Sequence, residues 1–109
     1  MKKAVRDKIP SIIRKSGVKC RVKKLSDSRF LQELEKKLGE EIREYKKSKN
    51  VEEIVDIMEV IIAIAKLRGA SQKKLEQIRL KKLKARGGFS KNLFLVSIAK
   101  KTCMDTENG

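Results

Sequence analysis

The sequence predicts an all-α protein: an antiparallel helical bundle of about three main helices plus a short N-terminal one, completed by dimerisation, with short extended segments at both ends. Three observations lead there. The apolar residues are mostly Ile, Leu, Val and Ala, with only Phe30, Tyr45, Phe89 and Phe94 as aromatics, a composition suited to helices packing on helices. Two long stretches repeat their apolar residues at spacings of three and four. Helix-capping residues and glycines fall between those stretches, and the 109 residues suffice for one core and no second domain.

In chain order, Val5 to Ile9 reads as extended because the residue before a proline avoids the helical region, and Pro10 to Lys15 reads as a short helix ended by Ser16-Gly17. Val18 to Leu25 alternates weakly, as a short strand or an extended arm. Ser26 begins a helix over Asp27 to Lys47, with Arg29 where a capping box would place Glu. Its apolar stripe is Phe30, Leu31, Leu34, Leu38, Ile42 and Tyr45. Ser48-Lys49-Asn50 is the turn. Val51 to Arg68 is apolar on nearly all sides, which predicts burial on nearly all sides. Val51, Ile54, Met58, Ile61 and Ala65 form one side, and Val60, Ile64 and Leu67 the other. A short monomer covers only part of that surface, so a second copy presenting the same helix is expected. Gly69 and Ser71 separate off a third long helix through Arg86, closed by Gly87-Gly88. Leu93 to Ile98 reads as a terminal strand. Residues 1–99 form one domain, and 100–109 read as a polar, disordered tail.

Composition narrows the function classes. The chain has no histidine, and Cys20 and Cys103 lie far apart, which supports neither a zinc site nor a disulfide framework. The longest uncharged apolar run, Val60 to Ala65, is too short to cross a bilayer, and the basic N-terminus lacks a signal peptide's apolar segment. A cytoplasmic protein without a membrane partner is expected. The net charge is +15 and unevenly spread. Residues 1–24 carry ten Lys or Arg against one acid, residues 69–109 ten against three, and residues 25–68 nine against ten. Two cationic ends flank a near-neutral centre.

That centre holds the chemistry. Glu41 and Glu44 stand at helical spacing on one long helix, and Glu53 and Asp56 on the next. At about 100° per residue, Glu41 falls inside the stripe of Leu34, Leu38 and Tyr45, Glu44 on its border, and Glu40 largely away. Glu53 and Asp56 bracket the line of Val60, Ile64 and Leu67. Ionised carboxylates on interior faces need a cation. Oxygen ligands favour Mg2+, or Mn2+. The alternative is neutralisation by Arg43, Lys46 or Lys37 across the bundle. Glu33, Glu35 and Glu52 read as solvated surface residues. Gly39, unfavourable within a helix, reads as permitting a close helix approach.

The order Glu40-Glu41-x-x-Glu44 then Glu53-x-x-Asp56, on the first two long helices of a small all-α chain, resembles the MazG-like superfamily of nucleoside triphosphate pyrophosphatases, which includes phosphoribosyl-ATP pyrophosphohydrolase. Val5-Arg6-Asp7-Lys8-Ile9-Pro10-Ser11-Ile12-Ile13 and Arg86-Gly87-Gly88-Phe89 resemble a short house-cleaning subgroup, over residues 4 to 97. The eight residues between Glu44 and Glu53 make a short link for that superfamily. The resemblance implies an Mg2+-dependent hydrolase that cleaves between the α and β phosphates of a nucleotide, releasing a nucleoside monophosphate and pyrophosphate. It implies metal binding by Glu41, Glu44, Glu53 and Asp56, with Glu40 as the adjoining motif acid. Arg6, Lys8, Lys82 and Arg86 match basic positions that meet phosphates. With no histidine to serve as base, Glu41, the most interior of these acids, is the expected catalytic residue. The rival classes are a small basic helical protein that binds nucleic acid, for which aromatic residues for base stacking are scarce, and a catalytically inactive member of the same fold.

Overall fold

Residues 2–99 are described by a computed structural model of the chain, and they contain four helices and no strand. These are α1 (Ile9–Lys15), α2 (Asp27–Ser48), α3 (Val51–Leu67) and α4 (Gln72–Arg86). The expectation of a disordered tail at 100–109 lies outside the described residues.

Local chemistry sets most boundaries. Pro10 occupies the first turn of α1, whose missing N–H costs nothing there, and Gly17 at φ 90° turns the chain away after it. Ser26 Oγ accepts the Arg29 N–H at 3.4 Å and starts α2. At the far end Lys49 adopts the left-handed conformation, φ 59°, and donates its N–H to the Tyr45 carbonyl at 2.7 Å. Asn50 then caps α3, its Oδ1 accepting the Glu52 N–H at 3.0 Å. A two-residue link folds α2 and α3 into an antiparallel hairpin, and the Arg68–Glu35 ion pair, 2.9 Å, joins its open end. Ser71 caps α4 by accepting the Lys74 N–H at 3.1 Å.

The core is small. Leu34 of α2, Val60 of α3 and Ala4 of the N-terminal segment are buried together, with Phe30, Leu38, Ala63, Ile64 and Leu67 packed around them. The N-terminal segment therefore lies across the hairpin rather than free of it.

Three expectations are corrected. First, α3 is not buried on nearly all sides. Its Val60, Ile64 and Leu67 side meets α2, while Val51, Ile54, Val55, Met58 and Ile61 are exposed, Val51 by 70%. Among the helices α4 touches α3 alone, and that contact still leaves this outward side of α3 exposed. The radius of gyration is 20.4 Å, against about 13 Å for a compact chain of this length. Second, residues 93–98 form no strand, because no second strand lies beside them to complete its hydrogen bonds; for residues 18–25 only the strand alternative falls, and the arm reading stands. Third, a Cβ at Gly39 would meet only the end of the Arg43 side chain, at 3.5 Å, so this glycine permits no close approach of α3.

No described helix is long and apolar enough to cross a membrane. Cys20 is a free thiol, half-buried, its Sγ 3.8 Å from the Pro10 carbonyl oxygen. Cys103 lies outside the described residues.

Candidate metal centre

The short α2–α3 link fixes which residues face each other near the turn. On α2, Glu41 lies on the side that meets α3. On α3, Glu53 and Asp56 lie one helical turn apart, on the side that meets α2. One carboxylate oxygen from each of the three comes within 4.8 Å of the others, and all three residues are half-buried. Ligand oxygens on opposite sides of Mg2+ stand about 4.2 Å apart, given bonds of roughly 2.1 Å. Neighbouring ligands around one such ion stand closer still, about 3 Å apart, so the cluster would have to tighten on binding; its all-oxygen donor set is the kind that suits a hard divalent cation. Three ligands also leave coordination positions open for phosphate and water.

Two cations flank the cluster. Arg6 places a guanidinium nitrogen 2.7 Å from Asp56 Oδ1, both side chains about half exposed. Lys37, one turn before Glu41 on α2, holds its Nζ 3.8 Å from Glu41 Oε1, and both side chains are only 17% exposed. Neutralisation by Lys37 is therefore partly realised, although within one helix rather than across two. Two positive charges against three negative ones leave Glu53 without an ion pair among the described residues. Desolvation first, then the charges of Asp56, Glu41, Glu44 and Glu52, hold the Glu53 carboxyl above its ordinary range.

The other acids divide. Glu44 is exposed and stands outside the group of three, yet it is close enough to raise the Glu53 pKa. Glu40 is exposed and faces away from the cluster, as helical geometry requires. Glu33 pairs with Lys36 and Glu35 with Arg68, the surface roles expected of them.

Of the basic residues singled out in the sequence, only Arg6 meets the acids. Lys8 precedes α1 and is exposed. Lys82 and Arg86 are exposed on the C-terminal half of α4, and neither is ion-paired to the carboxylates among the described residues. Two surface depressions form elsewhere, one lined by Arg14 and residues 17–21 and the other by Arg43, Glu44, Lys46 and Lys47. Neither is lined by the three clustered acids.

Sequence reasoning missed Ala4 as a core residue and the Arg6–Asp56 contact. The Lys37–Glu41 pair was legible as an i, i+4 spacing. No protein-family model matches the chain, and no match is found among curated proteins or solved structures.

Proposed function

We propose that this chain is an Mg2+-dependent nucleoside triphosphate pyrophosphohydrolase of the MazG-like kind, releasing a nucleoside monophosphate and pyrophosphate. One observation carries the reading: Glu41, Glu53 and Asp56 converge, half-buried, from two helices joined by a two-residue link. A cluster of acids with one more negative charge than its cationic neighbours is adapted to take up a cation.

Glu53 and Asp56 would hold the metal together with Glu41, and the exposed Glu44 would be the fourth acid of the set. Glu41 orients the attacking water and accepts its proton, supported by its partial burial. When bound, Mg2+ supplies charge neutralisation at the phosphate oxygens. Arg6 is placed to exchange Asp56 for a phosphate oxygen, which a guanidinium grips in bidentate fashion. The working unit is a homodimer or larger, because a second copy is needed to cover the outward face of α3.

The test is a panel of nucleoside triphosphates with Mg2+, assayed for pyrophosphate release. Loss of release in Glu53→Gln and Asp56→Asn supports the reading, and wild-type rates in both overturn it.

A nucleic-acid-binding reading has one observation in its favour: α4 carries seven Lys or Arg against Glu76 alone and is largely exposed. Binding of that kind weakens steeply with salt, by about 0.9 in log–log slope per duplex phosphate contacted, and survives loss of the acids.

A further inference from the structure

Two apolar surfaces of this chain lack partners, and they match each other. One is the outward face of α3, where Val51, Ile54, Val55, Met58 and Ile61 are exposed on the side opposite α2. The other is the segment after α4. Phe89 is 99% exposed and Phe94 87%, and Leu93, Leu95, Val96 and Ile98 are exposed with them. An aromatic side chain offers about 150–250 Å². The two rings alone thus expose an apolar area comparable with the few hundred Å² at which a patch on a soluble monomer marks an interaction site. Between Gly87 and Ala99 the only charge is Lys91, in a chain that is 39% charged, so nothing in this segment favours leaving it in water.

We propose that residues 89–98 form an exchange arm that lies along the outward face of α3 of a second copy, while the second copy's arm lies along its own. This rests on the homodimer reading above and specifies how that dimer is held.

Three features fix the occupant. The reach suffices: beyond the turn at residues 90–91, an extended run from Leu93 to Ile98 covers about 20 Å, enough to span the about 15 Å of α3 from Val51 to Ile61. The charges agree as well. The exposed Glu52 and Glu59 border the outward face of α3, whereas the arm brings Lys91 and is preceded by Lys82, Lys84 and Arg86. Finally, the arm finds no seat within its own chain. The elongated form, with α4 touching α3 alone, carries the arm away from its own core. Two exchanged arms bring eleven large apolar side chains from each copy into contact. That is the scale of a stable interface, which buries roughly 800 Å² per partner.

Light scattering on the full-length chain tests the proposal, using Phe94→Asp to spoil the arm and Met58→Asp to spoil the face. Wild type is expected at about twice 12.5 kDa, and each variant at the single-chain mass. Mixing the two variants in equal amounts restores a dimer, weaker than wild type, because the intact arm of one meets the intact face of the other. Both side chains are exposed and outside the core, and circular dichroism checks that helix content is kept. The milder pair Leu95→Ser and Val55→Ser repeats the comparison if either aspartate variant loses helix. A Phe94→Asp protein that stays dimeric overturns the arm while leaving the homodimer intact. Failure of the mixture to associate overturns the exchange. A monomeric wild type overturns both the arm and the homodimer. Pyrophosphate release by the same samples reports on the catalytic reading separately.

Discussion

The guanidinium of Arg6 and the carboxylate of Asp56 meet at 2.7 Å although fifty positions separate them in sequence. This contact ties the N-terminal segment to the acid cluster on the hairpin. Both side chains are about half exposed, which limits the pair's value to stability to roughly 0–1 kcal/mol. Its consequence for the proposed metal site is that Arg6 and a bound ion would compete for the same oxygen. Arg6→Gln should therefore bind Mn2+ more tightly in the absence of nucleotide, read by paramagnetic titration, while its KM for a triphosphate rises. Unchanged Mn2+ affinity would show that the pair does not compete with the metal.

Removing a ligand should act in the opposite sense. If the proposed centre binds metal, Mg2+ should raise the thermal stability of the wild type, and Glu53→Gln and Asp56→Asn should lose that rise together with Mn2+ binding. At a hundredfold excess over Kd that stabilisation amounts to about 2.7 kcal/mol. Differential scanning calorimetry with and without Mg2+ measures it directly. An equal Mg2+-induced rise in Tm in the variants would remove both residues from the centre.

The raised pKa of Glu53 has a definite sign. Its folded carboxyl holds the proton more tightly than the unfolded one, whose value is near 4.5. Its contribution to stability is therefore complete below that value and is lost as pH rises through the higher folded value. Metal-free wild type should gain stability on mild acidification relative to Glu53→Gln, as chemical denaturation across that window would show. Glu76, whose pKa the Arg79 hydrogen bond lowers, supplies the control of opposite sign. Its contribution is present above 4.5 and lost as pH falls through the folded value.

Gly39 lies inside α2, where an added Cβ would make only ordinary contact with the Arg43 side chain, so Gly39→Ala should stabilise the protein. The expected gain is about 1 kcal/mol, or roughly 4–8 °C in Tm for a chain of this size. A loss of stability would mean that a partner backbone approaches this position in the assembled protein.

Leu34→Ala should be severe. Leu34, Val60 and Ala4 are the only buried apolar residues among those described, and removing a core leucine costs about 2–5 kcal/mol. A core this small has little stability in reserve. Urea denaturation should show a much lower midpoint with a similar slope.

Much of this architecture was legible in the sequence, because it depends on neighbours a few positions apart. Ser26 and Ser71 cap helices as read, α2 runs one residue beyond Lys47, and α3 stops one short of Arg68. Helical arithmetic also brought Glu41 to face Glu53 and Asp56, since a two-residue link leaves the two helices little freedom of register. What stayed illegible depends on distant partners. Weak alternation at Val18 to Leu25 and the apolar run from Leu93 to Ile98 become strands only beside another strand, and none is present among the described residues. The apolar girth of α3 could not reveal which side its own chain covers. Gly39 was assigned a packing role from its residue type alone, and its surroundings show none.

The link of Lys49 and Asn50 has a bearing on how the protein acquires its shape. Glu41, Glu53 and Asp56 all lie within one hairpin, so closing a very short loop is enough to gather them. Contacts so near in sequence form early and quickly, before the slower docking of distant segments. The three-carboxylate cluster is thus expected to assemble ahead of contacts with distant segments, and repulsion among those acids would oppose folding from the first steps. Divalent cations in the surrounding solution would then speed folding as well as stabilise its product.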